Sequence, residues 1–301
     1  MVTKLETHCG FIAIVGRPNV GKSTLLNRIL GHKISITANK PQTTRHRILG
    51  IKTLPKAQLI FMDTPGLHRQ QSKALNKAMN QAVLETIPEA DLVLFVLAAG
   101  KFTEEDAWVA RRLQHYNKKW IIAVNKVDNI PDKKQLLPFL QDLNEQFPTN
   151  PLVPISALQG DNIEALLNLL SDQLPLDHFY FPSGQMTDRS EPFLASELIR
   201  EKLTRYLSQE LPYSAAVMID EFNRQQNLLR ISATIFVERD SQKAIVIGNK
   251  GERLKQIGQA ARQNMERLFD NKVYLNLWVK VKTGWSDDAR AVKSLGYDEQ
   301  N

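Results

Sequence analysis

The 301-residue sequence has a single cysteine, Cys9, so no disulfide bond can form within the chain. Its longest apolar run, Leu92 to Ala99, is far shorter than the roughly 20 residues that a membrane-spanning helix needs. The first ten residues lack the apolar core of a secretory signal. These absences exclude a disulfide-stabilised secreted scaffold and predict a soluble, cytoplasmic protein, and the length predicts two domains.

Acidic residues are also missing from one long interval. No aspartate or glutamate occurs between Glu6 and Asp63, although nine lysines and arginines do. A second basic region, Ser241 to Lys282, has nine basic and three acidic residues, and the formal net charge of the chain is +7. A solvated face is the ordinary explanation of either region, but two such regions in one cytoplasmic chain favour RNA as a partner.

A phosphate-binding loop is predicted directly after the apolar run Phe11 to Val15. The pattern is glycine, four residues, then glycine, lysine and serine, followed by a predicted helix, Thr24 to Leu30. The start of a helix offers unpaired N–H groups and a partial positive charge to phosphate. Lys22 is expected to reach the outer phosphates and Ser23 to bind Mg²⁺. The predicted loop residues are Gly16, Arg17, Pro18, Asn19, Val20, Gly21, Lys22 and Ser23.

A second apolar run, Leu59 to Met62, ends at Asp63, where a carboxylate can hold Mg²⁺ through water. The residues after Asp63 are Thr64, Pro65, Gly66 and Leu67. The Gly66 N–H is expected to meet a γ-phosphate, which predicts a loop that triphosphate orders and hydrolysis releases. Taken alone, the segment is better explained as an ordinary turn built from Pro65 and Gly66.

Base recognition is predicted after the strand Trp120 to Val124. The segment reads Asn125, Lys126, Val127 and Asp128. The Asp128 carboxylate can accept both donors on the guanine edge, an arrangement that adenine cannot match. Ser156 and Ala157, after the short strand Leu152 to Ile155, are expected to close over the other side of the base. The expected ligands are therefore GTP and GDP.

A polar stretch, Pro41 to Arg45, precedes the predicted strand Ile48 to Ile51. A threonine hydroxyl there can complete the Mg²⁺ shell in the triphosphate state, and we favour Thr44 over Thr43. The alternative is a solvated loop.

Apolar strands alternate with helical patterns through residue 174, which predicts an α/β P-loop G domain with a doubly wound, mostly parallel sheet. Residues 175–190 interrupt the pattern with prolines and a glycine and are predicted to be a linker. Residues 191–301 then show a helix, two strands, a glycine turn, a helix and a strand. After the predicted helix Thr24 to Leu30, the helical patterns of the first domain are Ala74 to Ile87, Glu104 to His115, Lys133 to Gln146 and Ile163 to Leu174.

The glycine turn carries the chemistry of the second domain. Two glycines flank Asn249 and Lys250 and lead into a helix, as in the loop that clamps single-stranded RNA in KH domains, although a tight turn into a helix is the alternative. In the last strand, apolar residues alternate with polar ones. Trp278 or Trp285 can stack on a base, and packing of the ring against a neighbouring segment is the alternative. The predicted RNA contacts are Lys243, Gly248, Asn249, Lys250, Gly251, Arg253, Lys255, Lys280 and Lys282.

Several longer strings resemble the Era family of bacterial GTPases. They run from Cys9 to Gly16, Pro41 to Arg47, Asp63 to His68 and Val279 to Trp285. The resemblance implies a translation-factor-like G domain followed by an α+β type II KH domain. It also implies binding to the 3′ end of 16S rRNA and a role in assembly of the small (30S) ribosomal subunit. Finally, it implies that Ser241 to Ile247, which has a strand-like pattern, is a short helix.

The predicted catalytic set is Lys22, Thr44, Gly66 and Asn19. Leu67 stands where Ras-like proteins have a water-orienting glutamine, so unaided hydrolysis is expected to be slow. The resemblance implies that Asn19 helps to bind K⁺, and local loop geometry is the alternative role. GTP with Mg²⁺ is expected to order the Thr44 and Gly66 loops and change access to RNA. The competing hypotheses are an RNA chaperone with a structural nucleotide site and a peripheral membrane GTPase.

Overall fold

The computed structural model describes residues 7–38, 47–67, 74–116, 118–207 and 215–283. They form two units, of which the first ends at Asp188 and the second begins at Arg189; residues 36–38 group with the second. Within these described ranges, no helix is both long enough and apolar enough to cross a bilayer.

The first unit is built on a six-stranded sheet in the order β2-β3-β1-β4-β5-β6. Only β2 runs antiparallel to its neighbour, β3, and the remaining pairs are parallel. The strands are β1 (His8–Val15), β2 (Ile48–Thr53), β3 (Ala57–Asp63), β4 (Leu92–Ala98), β5 (Lys119–Asn125) and β6 (Leu152–Pro154). This confirms the predicted α/β G domain with a mostly parallel sheet.

Helices separate these strands, as the sequence pattern predicts. They are α1 (Lys22–Leu30), α2 (Ala74–Glu89), α3 (Glu104–Gln114), α4 (Leu136–Gln146) and α5 (Ile163–Gln173). The predicted helix from Lys133 is interrupted, because Lys133–Gln135 is a separate 3₁₀ turn. The strands β3 and β4 are buried along nearly their whole length, as expected for a sheet covered on both faces.

The stretch predicted as a linker is bound to the first unit along much of its length. The Asp177 N–H donates to the Thr7 carbonyl, and Thr187 forms an antiparallel bridge with Gly50. The buried Gln58 side chain accepts from the N–H groups of Tyr180 and Phe181 and donates to the Phe181 carbonyl. The first unit therefore extends to Asp188, beyond the boundary predicted at Leu174.

The second unit has a three-stranded sheet in the order β7-β8-β9, with β7 antiparallel and β9 parallel to β8. Its helix α7 occupies the segment with the strand-like pattern, so the helix implied by the family resemblance is confirmed there. The Ser190 side chain caps α6, as its position before Pro192 favours. The elements are α6 (Glu191–Tyr206), β7 (Ala216–Gln225), β8 (Leu228–Val237), α7 (Asp240–Ile247), α8 (Glu252–Phe269) and β9 (Lys272–Val281).

Candidate nucleotide site and nucleic-acid groove

The phosphate loop joins the end of β1 to the start of α1. Gly21 is the residue before the first helical turn, and no side chain of the described residues caps that turn. The helix N-terminus therefore keeps N–H groups for phosphate. The Lys22 ammonium is buried within the loop, donating to the carbonyls of Gly16 and Arg17 at 3.0 and 3.1 Å. Burial lowers the pKa of Lys22 to about 8, and Asp63 opposes that shift.

A hydroxyl and carboxylate cluster lies beside the loop. Ser23 Oγ donates to Asp63 Oδ2 at 2.8 Å, and Ser35 Oγ donates to the same oxygen at 2.6 Å. The other oxygen of this buried carboxylate, Oδ1, has no hydrogen-bond partner among the described residues. Burial raises the pKa of Asp63, whereas the Ser35 hydrogen bond and the Lys22 charge lower it.

This donor set fits Mg²⁺, which prefers oxygen ligands and usually keeps several waters. Ser23 offers a hydroxyl oxygen, and Asp63 offers a carboxylate oxygen that is buried and without a partner in the described part of the chain. The third predicted ligand, Thr44, lies outside the described residues. Ser35 was not predicted from the sequence, because a lone serine 28 residues before Asp63 belongs to no local motif.

The segment after Asp63 stays close to the phosphate loop. Thr64 Oγ1 donates to the Ile14 carbonyl, and the Leu67 N–H donates to the Gly16 carbonyl. Gly66 is required here, because an added Cβ would fall 2.9 Å from Pro18. The Leu67 side chain is only 1% exposed and belongs to the hydrophobic core. It therefore points into the protein and not toward a phosphate.

The base-recognition segments meet at the carboxyl ends of β5 and β6. The Asn125 side chain donates to the Val20 carbonyl at 2.8 Å and accepts from the Ala157 N–H at 2.9 Å. Lys126 Nζ donates to the Asn19 carbonyl at 2.6 Å. Thus the structure brings the predicted phosphate and base segments together, as expected where parallel strands end.

The carboxylate predicted to select the base, that of Asp128, is held in place from one side. Ser156 Oγ donates to Asp128 Oδ1 at 2.6 Å and accepts from the Gln159 N–H. Asp128 stands in the turn Val127–Asn129 and is exposed. Arg28, another residue that the sequence did not single out, ties α1 to this region by donating to the carbonyls of Ala157 and Leu158.

The second unit contains a groove suited to a nucleic-acid strand. The turn Asn249–Gly251 separates α7 from α8, and Gly248 has φ 74°, where an added Cβ would lie 2.7 Å from Arg253. A cavity of about 510 Å³ lies between the start of α8 and β9. Its lining includes Gly251, Leu254, Lys255, Gly258, Leu275 and Leu277. Such an apolar floor beside a glycine loop is typical of KH recognition of single strands.

The predicted RNA contacts divide between two faces. The glycine loop itself contains Asn249, Lys250 and Gly251. The groove is lined by Gly251 and Lys255. Lys243 lies on α7, and Arg253 donates to the Ile245 carbonyl. Lys280 and Lys282 alternate with the groove-lining Leu275 and Leu277, so they lie on the opposite face of β9. The groove residues Leu254, Gly258, Leu275 and Leu277 were not predicted, because apolar residues there have the pattern of a core.

Comparison with known proteins agrees with both units. A family described as 50S ribosome-binding GTPase matches residues 11–126, and the KH domain family matches residues 210–286. The chain is 54% identical to the GTPase Era of Pseudomonas fluorescens (strain Pf-5) over 299 residues, covering 99% of this chain and 100% of the relative. It is 55% identical to the GTPase Era of Azotobacter vinelandii over 297 residues, covering 99% of each.

Two solved structures are similar over almost the whole chain. One is a variant of Aquifex aeolicus Era bound to GDP and AlF₄⁻, with a TM-score of 0.90 and 39% identity. The other is Era in complex with MgGDPNP and nucleotides 1506–1542 of 16S ribosomal RNA, with a TM-score of 0.91 and 39% identity. Each match covers 97% of this chain and 99% of the other. The chain therefore belongs to the Era family, and it is a GTPase.

Proposed function

We propose that this GTPase binds the 3′ end of 16S rRNA in its KH groove and acts as a nucleotide-controlled switch in assembly of the small (30S) ribosomal subunit. The observation that carries the proposal is the presence, in one chain, of a joined phosphate and base site and a glycine-loop groove. The similar Era structure that holds MgGDPNP together with an rRNA fragment supports it. We propose the cytoplasm as the place of action.

Hydrolysis of GTP requires the phosphates to be positioned and their developing charge to be stabilised. The α1 N-terminus and Lys22 supply fixed positive charge at the loop, and Gly66 lets the backbone after Asp63 pass close to Pro18 of that loop. Mg²⁺ neutralises charge on phosphate oxygens when it is bound, and Ser23 and Asp63 are the described residues that would hold it. The buried Leu67 cannot orient the attacking water, which supports slow unaided hydrolysis.

A role of Asn19 in holding K⁺ is part of the same proposal. Asn19 lies in the left-handed region with φ 61°, and its backbone carbonyl accepts from Lys126. Among the contacts of the described residues, its side-chain amide takes part in none, so the amide oxygen is available to a cation. Single-turnover hydrolysis in K⁺ and in Na⁺ tests this. Equal rates in the two salts would leave Asn19 with a role in loop geometry only.

Coupling between nucleotide and RNA is supported by the chain segment that leads toward Thr44. The Thr37 carbonyl accepts two hydrogen bonds from Arg205 on α6, and the Thr37 N–H donates to Glu201. The segment before Thr44, the predicted Mg²⁺ ligand, is therefore tied to the first helix of the RNA-binding unit. A change at Thr44 can therefore reach α6 along the chain to Thr37 and then through these hydrogen bonds.

The test compares the affinity for an RNA of the 16S 3′-end sequence in the presence of GDP and of a non-hydrolysable GTP analogue. A difference that disappears in Arg205→Ala, but persists in the exposed control Arg224→Ala, supports the switch. Identical affinities with both nucleotides would instead favour an RNA chaperone with a structural nucleotide site, which the buried Leu67 makes the second candidate. Liposome flotation at physiological salt tests the peripheral membrane alternative.

A further inference from the structure

Strand β9 has two faces of very different chemistry. Its core-facing residues are apolar, whereas no acidic residue stands at any of its outward positions. The outward residues, including the one just past the strand, are Lys272, Tyr274, Asn276, Trp278, Lys280 and Lys282. Leu275 and Leu277, which line the KH groove, face the other way. The outward face is therefore separate from the groove.

Two aromatic rings are strongly exposed on this face. Tyr274 is 56% exposed and Trp278 is 59% exposed, and Met218 on β7 adds a third exposed apolar side chain. The register places Arg230 beside Tyr274, with its guanidinium 5.7 Å from the ring centroid. Four strand positions separate the two rings, which corresponds to about 13 Å. Large aromatic surfaces grouped on one sheet face mark an interaction site.

The distribution of charge limits what the partner can be. Lysines stand at both ends of the outward row of β9, and Arg230 lies next to it on β8. The acidic residues of the face, Asp220 and Glu221, lie on β7 at the far side of the sheet and bind Thr234 and Asn223. A polyanion is thus attracted along β8 and β9 and repelled from β7. Lysine is depleted in protein–protein interfaces, so exposed rings set among lysines favour nucleic acid.

We propose that the outward face of β9, with Arg230, is a second RNA-binding surface that is distinct from the KH groove. Tyr274 and Trp278 stack on unpaired bases, while Arg230, Lys280 and Lys282 meet the phosphates. This inference rests on the proposed RNA-binding function and extends it to a longer strand than the groove holds. A KH loop clamps about four nucleotides, so a second surface allows one RNA to be held at two places.

The test measures the affinity of the full chain for a single-stranded RNA of about 20 nucleotides, long enough to exceed one KH site. The face variant carries Tyr274→Ala and Trp278→Ala, and the groove variant carries Asn249→Asp and Lys250→Asp. We expect the face variant to bind about tenfold or more weakly, because each stacked base contributes substantially to binding. The pair Tyr274→Phe and Trp278→Phe keeps the rings and is expected to bind like the unsubstituted protein. Tyr206→Ala is the matched control, because Tyr206 is 45% exposed on α6.

A second measurement holds even if the alanine pair disturbs folding. Replacing Arg230 and Lys280 by glutamine keeps the rings, and it should reduce the slope of log affinity against log salt by about 1.4, since each phosphate contact on a single strand contributes about 0.7. If the face variants bind RNA normally while the groove variant does not, the second surface is wrong and the proposed function stands. If the groove variant also binds normally, the proposed function itself fails. If the face variant instead changes the sedimentation of the protein without RNA, the face is a self-association surface and our inference is overturned.

Discussion

Arg17 Nε donates to both carboxylate oxygens of Asp106, each at 3.1 Å. Asp106 is fully buried in the first turn of α3, where it also accepts from the N–H and hydroxyl of Thr103. The phosphate loop is thereby fastened to a helix almost 90 residues away in sequence. Because Arg17 lies near Lys22 and Lys126, its anchoring also fixes positive charge around the site.

Replacing Asp106 with asparagine should weaken nucleotide binding. The amide cannot neutralise the guanidinium, and we expect a loss of about 1.5–3 kcal/mol in GDP binding, the range for hydrogen bonds to charged groups. Titration calorimetry with GDP measures it. Glu105→Gln, one position away and exposed, is the matched control and should bind GDP normally. Indistinguishable affinities in the two variants would contradict an anchoring role.

Asp128→Asn should abolish preference for guanine. The carboxylate is expected to accept both guanine donors, and an amide would oppose one of them with a donor of its own, so GTP affinity should fall by about 100-fold or more. Ser156→Ala, which removes one hydrogen bond to Asp128 but keeps the carboxylate, should lose about tenfold or less. Competition of GTP and of ATP against a fluorescent GDP derivative measures the GTP affinity and the guanine preference of each variant. Unchanged GTP affinity in Asp128→Asn would exclude this carboxylate from base recognition.

Leu67→Gln should not create a faster enzyme. Position 67 is in the core, so the amide would be buried without a partner and stability should fall by about 1–3 kcal/mol. Urea unfolding and single-turnover hydrolysis give the two quantities. Leu67→Met keeps the volume and should cost less than about 1.5 kcal/mol. A marked rise in hydrolysis rate by Leu67→Gln would mean that residue 67 reaches the phosphates.

Gln58→Leu should loosen the segment 175–188 from the sheet. The substitution removes the acceptor of the Tyr180 and Phe181 N–H groups and the donor to the Phe181 carbonyl, so we expect a loss of about 2–4 kcal/mol. Hydrogen exchange at the Tyr180 and Phe181 amides should accelerate, and urea unfolding should show the lower stability. Gln185→Ala, which removes only a donor to the Thr187 carbonyl, serves as the control. Equal protection of these amides in both variants would contradict the role of Gln58.

Local motifs made most of the nucleotide site predictable. Phosphate binding needs a strand, a glycine turn and a helix in immediate succession, and Gly16 to Ser23 satisfy that need within eight residues. The alternation in β9 likewise predicted its two faces correctly. These features depend only on residues that are close together in the sequence, so they can be predicted from the sequence alone.

The supporting contacts were missed because their partners are distant. Asp106 resembles an ordinary helix-capping residue, and its capping box with Thr103 is indeed present. Nothing in the sequence says that Arg17 reaches it. Gln58 has the pattern of a strand residue, and the prolines of 175–190 made a packed segment resemble a linker. The sequence does contain one indication. Because no aspartate or glutamate occurs between Glu6 and Asp63, an acidic partner of Arg17 is expected to come from a distant part of the chain.

The single carboxamide of Asn125 touches the phosphate loop at Val20 and the base-closing loop at Ala157. One rigid planar group thus holds these two loops at a fixed distance. We therefore expect the distance between the purine and the first phosphates to be the same for every bound guanine nucleotide. Diphosphate and triphosphate nucleotides are expected to seat their shared portion identically. Any difference that the protein detects between GDP and GTP is then expected to arise at the terminal phosphate.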